Sequence, residues 1–338
     1  MQDDHTKVSI SKTDITDGKE VEGAKLQIID KEGNVIEEWV SGEEHLIEYI
    51  PVGEYTLHEE QAPTDKGYVR AEDVTFVVEE TGEIQKVEMQ DDHTKVSVSK
   101  TDITDGEEIQ GAKLQIIDKD GKVVEEWITG EEHLIEYIPV GEYTLHEEAA
   151  IDGYVVASDV EFTVLETGEI QKVEMKDERA MGVLKIQKTD AETKNPLEGV
   201  EFALFEKESG KEVAKLVTDK DGKAESEKLP IGVYENGKMK GKMVYVLKET
   251  KVPEGYEKPE EEWEVVFEYK DDKTPVIEVL KEIQNKKPAA PGTPADAPKT
   301  GDDTNWMLPL LGVLAGGICV VYAVSRKRKL KKNTAKKA

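Results

Sequence analysis

Two stretches decide how this chain is read: KVSVSKTD at Lys95–Asp102 and KVSISKTD at Lys7–Asp14. Both alternate with the two-residue period of a half-buried strand, so that Val96 and Val98, or Val8 and Ile10, share one face. The next residue on that apolar face is a lysine, Lys100 or Lys12. A charge placed twice at the same point of an oily face asks for a partner.

The two stretches belong to a long repeat. Residues 1–18, MQDDHTKVSISKTDITDG, return at 89–106 with one change, a shift of 88. GAKLQIID (23–30) and PVGEYTLHEE (51–60) return at the same shift. QAPTDKGY (61–68) then gives way to AAIDGY (149–154), two residues shorter, and the copies close on KVEMQDD (86–92) and KVEMKDE (172–178). A diverged third copy follows, with LKIQKTD (184–190), LEGVEFALFE (197–206), DKDGK (219–223), YVLKETKVPEGY (245–256) and IQNKK (283–287). Repeats of roughly 85–105 residues are whole domains in a string rather than solenoid units. Residues 1–6 match the end of a repeat, so the chain is expected to be the C-terminal part of a longer protein whose export signal lies upstream.

Within each repeat the punctuation is that of an all-β domain. Short alternating runs are separated by turn signals such as Asp30-Lys-Glu-Gly33, Asp118-Lys-Asp-Gly121, Asp221-Gly222 and Pro51-Val-Gly53. About seven such strands per repeat predict an immunoglobulin-like sandwich, and no helical period appears before residue 304.

Strand parity then picks out three polar residues per domain on the core side. In repeat one Val8, Ile10 and Lys12 share a face, as do Tyr55, Leu57 and Glu59, and Val87, Met89 and Asp91. Repeat two gives Lys100, Glu147 and Asp177; the third copy gives Lys188, Glu249 and Asn285. A strand end that curls into solvent explains one such residue, but not nine of nine. A buried ammonium and carboxylate cost several kcal/mol per ion, and two groups sharing a dry site escape by becoming neutral. A neutral amine held against a protonated carboxyl, or an amide, is a nucleophile facing an electrophile, with a glutamate at hand to pass the proton. The expected product is an amide between side chains, formed with loss of water (Lys–Asp) or ammonia (Lys–Asn). It would tie the first strand to the last as disulfides do elsewhere.

The pattern KxD…LxGAxxxxxDxxG…GxYxLxE…APxGY…[DN] resembles the collagen-adhesin B-type (SpaA-like) domains of Gram-positive surface proteins and pilins, over residues 7–287. That resemblance implies a prealbumin-like sandwich and a self-formed isopeptide bond in each domain: Lys12–Asp91 with Glu59, Lys100–Asp177 with Glu147, and Lys188–Asn285 with Glu249, the glutamates acting as proton shuttles. Repeats one and two resemble the Lys–Asp subtype and the third the Lys–Asn form. Repeat one departs from the pattern in its longer APTDKGY loop.

Bulk composition fits a cytosolic protein, or an exported one that is cross-linked by means other than disulfides. Of 338 residues 35% are charged and 6% aromatic, at a net charge of −29. Setting the eight Lys and Arg of residues 326–337 aside from the total of 45 leaves 37 basic against 74 acidic groups in the rest. An acidic body excludes nucleic acid and anionic membrane as its partners. The single cysteine, Cys319, excludes an intramolecular disulfide.

The tail is tripartite. A Pro/Ala-rich linker carries Ala297-Pro298-Lys299-Thr300-Gly301, an apolar run at 307–324 is just long enough to span a bilayer, and a basic end follows. This layout resembles a sortase cell-wall sorting signal, with Ala297 where the commonest LPxTG form has Leu. The resemblance implies cleavage between Thr300 and Gly301, and transfer of Thr300 to an amine of a peptidoglycan precursor or a pilin.

The organisation expected is therefore the end of a preceding repeat (1–6), repeat one (7–92), repeat two (93–178), domain three (179–287), a linker with the sorting motif (288–301), a transmembrane helix (304–325) and a basic cytoplasmic tail (326–338). Asp-Lys-Asp-Gly at 118–121 and 219–222 lacks the later glutamate of a calcium loop and predicts hairpin turns; His58 and His146 fall on the outward face. No phosphate loop, metal cluster or Ser-His-Asp set appears, and neither a metal nor another cofactor is expected. The expected role is a wall-anchored stalk at the cell surface, with sortase as partner and no external substrate. The alternatives are an adhesin that binds a host or matrix ligand through the repeats, and a pilin subunit.

Overall fold

The computed structural model describes residues 5–288. Residues 1–4, the sorting motif at 297–301, the expected transmembrane segment at 304–325 and the basic tail lie outside the described residues. Among the described residues no helix is long and apolar enough to cross a membrane.

Repeat one contains β1 (Lys7–Asp14), β2 (Lys25–Asp30), β3 (Val35–Val40), β4 (His45–Glu48), β5 (Gly53–Gln61), β6 (Tyr68–Val69), β7 (Val74–Val78) and β8 (Ile84–His93). They form two four-stranded sheets, ordered β4-β1-β8-β6 and β3-β2-β5-β7. The eighth strand, which spacing alone did not separate, is the two-residue β6, held by pairing Tyr68 with His93. Val8, Ile10, Leu26, Ile28, Leu57 and Met89 interdigitate between the sheets, all virtually excluded from water.

Repeat two reproduces this with β9 (Lys95–Asp102), β10 (Lys113–Asp118), β11 (Val123–Ile128), β12 (His133–Glu136), β13 (Gly141–Ala149), β14 (Tyr154–Val155), β15 (Val160–Val164) and β16 (Ile170–Arg179), again as two four-stranded sheets. Domain three runs β17 (Met181–Asp190), β18 (Glu201–Glu206), β19 (Glu212–Val217), β20 (Lys223–Glu225), β21 (Leu229–Pro230), β22 (Gly232–Glu235), β23 (Lys238–Lys242), β24 (Val244–Lys251), β25 (Glu262–Val266) and β26 (Val276–Asn285). Its β22–β23 hairpin has no counterpart in the repeats.

The first and last strands of each domain lie side by side and parallel. Lys12 sits opposite Met89 and Asp14 opposite Asp91; Lys100 opposite Met175; Lys188 opposite Ile283 and Asp190 opposite Asn285. A parallel pair needs a long crossover, and here the crossover is the rest of the domain. The domains follow one another almost without linkers: Thr94 alone separates β8 from β9, and Ala180 alone separates β16 from β17, both fully buried.

Turn chemistry explains the hairpins. The Asp30 carboxylate accepts from the backbone N–H groups of Glu32 and Asn34 at 2.9 and 2.8 Å, and Gly33 takes the left-handed φ of 85° that closes the turn. Asp118 and Asp219 bind their own turns in the same way. One sequence expectation is modified. The first strand is not half-buried, because Ser9 and Thr13 on its outer face are covered by glutamates: Ser9 donates to Glu44, and Thr13 Oγ1 to Glu88 Oε1 at 2.7 Å.

Candidate functional site

Each domain carries one buried polar trio, and both sheets build it. In repeat one, β1 supplies Lys12 and β8 supplies Asp91 from the same sheet, on neighbouring strands and the same face. Glu59 comes across the core from β5. At Glu59 the β2–β5 ladder skips a residue, Leu26 pairing with Glu59 but Lys25 with Gln61. The same bulge recurs at Glu147 and at Glu249. The unpaired residue of the bulge is Glu60, just beyond Glu59, which keeps the inward direction of Tyr55 and Leu57.

All three side chains of the first trio are at most 1% exposed. Lys12 Nζ donates to Asp91 Oδ1 and, at 2.9 Å, to Glu59 Oε2, which also accepts the Ala71 N–H at 2.7 Å. Repeat two matches it: Lys100 Nζ donates to Asp177 Oδ1 and lies 2.9 Å from Glu147 Oε2, which accepts the Ala157 N–H at 2.7 Å. In domain three, Lys188 Nζ donates to Glu249 Oε2 at 2.8 Å and to Asn285 Oδ1 at 2.5 Å, and Asn285 Nδ2 donates to Glu249 Oε1 at 2.5 Å. The nine residues singled out by parity are thus brought together in three clusters.

The clusters differ in how fully their buried oxygens are hydrogen-bonded. In domain three every oxygen of Glu249 has a donor, one of them the asparagine amide. In the repeats, Glu59 Oε1 and Asp91 Oδ2, and likewise Glu147 Oε1 and Asp177 Oδ2, are buried without hydrogen-bond partners. Leaving such atoms unpaired costs about 1–3 kcal/mol each. A proton on one of the two carboxyls would stand where the asparagine N–H stands in domain three. Burial pushes the Asp91 carboxyl up to about 7 against the attraction of Lys12, and burial likewise pushes Asp177 up to about 7 against Lys100. Burial also lowers the pKa of Lys188, opposed by its hydrogen bond to Glu249. Burial thus pushes the Asp91 and Asp177 carboxyls and the Lys188 amine toward their uncharged forms, in which an acid is electrophilic and an amine nucleophilic.

A second set of residues was missed by parity. Asp14, which ends β1, binds its own turn through Thr16 N–H at 2.6 Å and accepts the Tyr68 hydroxyl at 3.1 Å. Asp102 with Tyr154 and Asp190 with Tyr256 repeat the pair at 2.7 and 2.8 Å. The signal was present in the sequence as a KTD strand end and a later GY, but only the fold joins them. His58 and His146 lie on the outer face, each half-buried against an aspartate, Asp73 or Asp159. Among the described residues no cluster suited to a metal ion occurs.

The fold and these sites define a class: tandem all-β prealbumin-like sandwiches, each with a lysine, a glutamate and an aspartate or asparagine buried between its first, fifth or equivalent, and last strands. The SpaA prealbumin-like fold domain matches three segments, residues 6–93, 94–179 and 182–283. The chain belongs to that family. Among solved structures it is similar to the Bacillus anthracis TIE protein, at 29% identity and a TM-score of 0.56, over 84% of this chain and 52% of that one. It thus spans about half the length of that protein. It is also similar to BcpA, the major pilin subunit of Bacillus cereus, at 17% identity and a TM-score of 0.48, over 84% and 99% of the two chains. No curated protein matches the sequence significantly.

Proposed function

We propose that this protein is a sortase-anchored stalk at the cell surface whose three domains are each closed by a self-formed isopeptide bond. The observation that carries this reading is the burial, three times over, of a lysine amine against an acid or amide on the neighbouring strand, with a glutamate touching the amine.

The chemistry balances within the chain. The lone pair of neutral Lys12 attacks Asp91 Cγ, the new C–N bond forms, and the C–OH bond breaks. Glu59 accepts a proton from the nitrogen and delivers it to the departing hydroxyl, which leaves as water. Lys100, Asp177 and Glu147 react alike. In domain three Lys188 attacks Asn285 Cγ, the C–NH2 bond breaks, and Glu249 delivers the proton that releases ammonia. The fixed geometry supplies the entropy advantage of an intramolecular reaction. Each domain reacts once, on itself; no substrate beyond the chain is required.

A stalk reading follows from what the bonds would do. Tension entering at the start of repeat one would pass through Lys12 to Asp91, along β8 and β9 to Lys100, across to Asp177, and onward to Lys188 and Asn285. Most of each domain would be bypassed, and an acidic surface would keep the rod soluble and separate. Membership of the SpaA family, together with the sequence motif Ala297–Pro298–Lys299–Thr300–Gly301 and the basic end, supports an exterior location and transfer of Thr300 to a cell-wall amine. The decisive experiment is the intact mass of the ectodomain. Two waters and one ammonia missing from the sequence mass support the bonds; the full sequence mass in folded protein refutes them. Thr300→Ala, which leaves the three domains untouched, should abolish covalent attachment to the wall.

A further inference from the structure

The junction between repeats one and two is built from two matched faces. On the repeat-two side, Tyr137 holds a left-handed φ of 60°, donates its N–H to Thr94 O at 3.1 Å, and stacks on His93 at 3.9 Å. Thr94 Oγ1 donates to Ile138 O at 2.6 Å, and His93 Nε2 is 3.1 Å from Glu136 Oε1. On the repeat-one side lie Asp14, which accepts the Tyr137 hydroxyl at 2.9 Å, and the long loop. That loop forms a short 3-10 turn, Thr64–Lys66, whose Thr64 carbonyl accepts the Val140 N–H at 3.1 Å. Gly67 follows it and carries the Thr94 N–H on its carbonyl at 2.8 Å. A Cβ on Gly67 would lie 2.4 Å from the Tyr137 backbone, so the contact requires glycine.

The opposite end of repeat one repeats the receiving face residue for residue. Tyr49 has a φ of 64°, donates its N–H to Thr6 O at 3.0 Å and stacks on His5 at 4.0 Å. Thr6 donates to Ile50 O at 2.5 Å, and His5 is 3.1 Å from Glu48. A tyrosine in the left-handed region is strained by about 1 kcal/mol or more. Here that strained ring is 72% exposed, and Val52, the counterpart of Val140, is 57% exposed.

We propose that this face of repeat one seats the far end of another long-loop repeat, a second copy of residues 7–92. In that joint the Tyr49 hydroxyl donates to the copy's Asp14, the Val52 N–H to its Thr64 carbonyl, and its Gly67 packs against the Tyr49 backbone. The loop sets the selectivity. Repeat two has the shorter Ala149–Tyr154 loop with no such turn. Its end is fitted instead to the hairpin of domain three: Tyr234 donates to Gly153 O at 2.8 Å, Arg179 lies 4.2 Å over the Tyr234 ring, and Gly237 N–H donates to Glu107 Oε2 at 3.0 Å. A long loop thus reads a His–Tyr face and a short loop reads the hairpin, which fixes the order of domains along the chain. This inference is independent of the cross-links.

The test extends the full chain by one copy of residues 5–92 placed ahead of His5, with Leu46→Val in the original repeat to distinguish identical peptides by mass. Hydrogen exchange is followed at Val52. The expected result is that the original Val52 N–H slows on the order of tenfold on extension, approaching Val140, while Val52 of the added copy keeps the fast rate. Extension with residues 93–178 instead should leave the original Val52 fast. Protection of the fully buried Leu26 and Leu57 amides of the added copy shows that it has folded. An unchanged Val52 rate beside a folded long-loop copy overturns the docking. Equal slowing by the short-loop copy overturns the selectivity.

Discussion

Replacing Glu59 by Gln removes the proton carrier of repeat one while keeping its shape and an acceptor for the Ala71 N–H. The expected outcome is a folded protein in which Lys12 and Asp91 remain unjoined, so that it falls short of its own sequence mass by only one water and one ammonia. The stability consequence follows from the span of the bond. A cross-link from residue 12 to residue 91 closes a loop of about 80 residues, and the chain-entropy relation gives about 4.5 kcal/mol at 25 °C for such a closure. For a domain of this size each kcal/mol moves the midpoint by roughly 4–8 °C. The calorimetric transition of repeat one should therefore fall by about 20 °C or more, with those of the other two domains in place. Glu60→Gln, one residue along on the exposed face, is the control and should still lack two waters and one ammonia from its own sequence mass and keep the midpoint. A Glu59→Gln protein that still lacks two waters and one ammonia from its own sequence mass would refute the glutamate's role. A variant that retains that water with a midpoint within a few degrees of the parent would refute the idea that the bond constrains the unfolded chain.

Three further outcomes are expected. Asp91→Asn converts the first site to the chemistry of domain three, so that ammonia leaves and the joined product has the parental mass; a product lighter by a whole ammonia than its own sequence mass is the signature, and an unreacted chain counts against the shared mechanism. In Lys12→Met no bond can form and Asp91 stays buried, its carboxyl held up near neutrality or above. The folded form then keeps a proton that the unfolded chain gives up from about pH 4. Stability is fully present at low pH and declines as pH rises through the folded value, so urea midpoints should be lower at pH 8 than at pH 5, and the reverse slope would disprove the buried neutral acid. Gly237 has a φ of 62°, and a Cβ there would come within 1.9 Å of the Glu108 carbonyl; Gly237→Ala should loosen the seat of the hairpin on repeat two, broadening the small-angle scattering profile without lowering the melting point of repeat one.

Much of this protein is legible before folding is considered. Periodicity alone places Val8, Ile10 and Lys12 on one face, and the internal repeat makes that observation threefold, which separates a site from an accident. The Asp-x-x-Gly turns are equally local, since Asp30 binds N–H groups only two and four residues away. The Asp14–Tyr68 pair spans 54 positions and needed the fold to bring its halves together. The same is true of the parallel pairing of β1 with β8, which sets Lys12 beside Asp91.

The sequence by itself determined that lysine, glutamate and an acid or amide share the interior of every domain, because side-chain direction in a strand is set by parity. Only the tertiary structure decided that β1 and β8 run parallel and adjacent, that two buried carboxyl oxygens per repeat lack a partner, and how repeat one meets repeat two. Those properties depend on how strands far apart in the chain are registered against one another, and register is set by the packing of the whole sandwich rather than by any one segment.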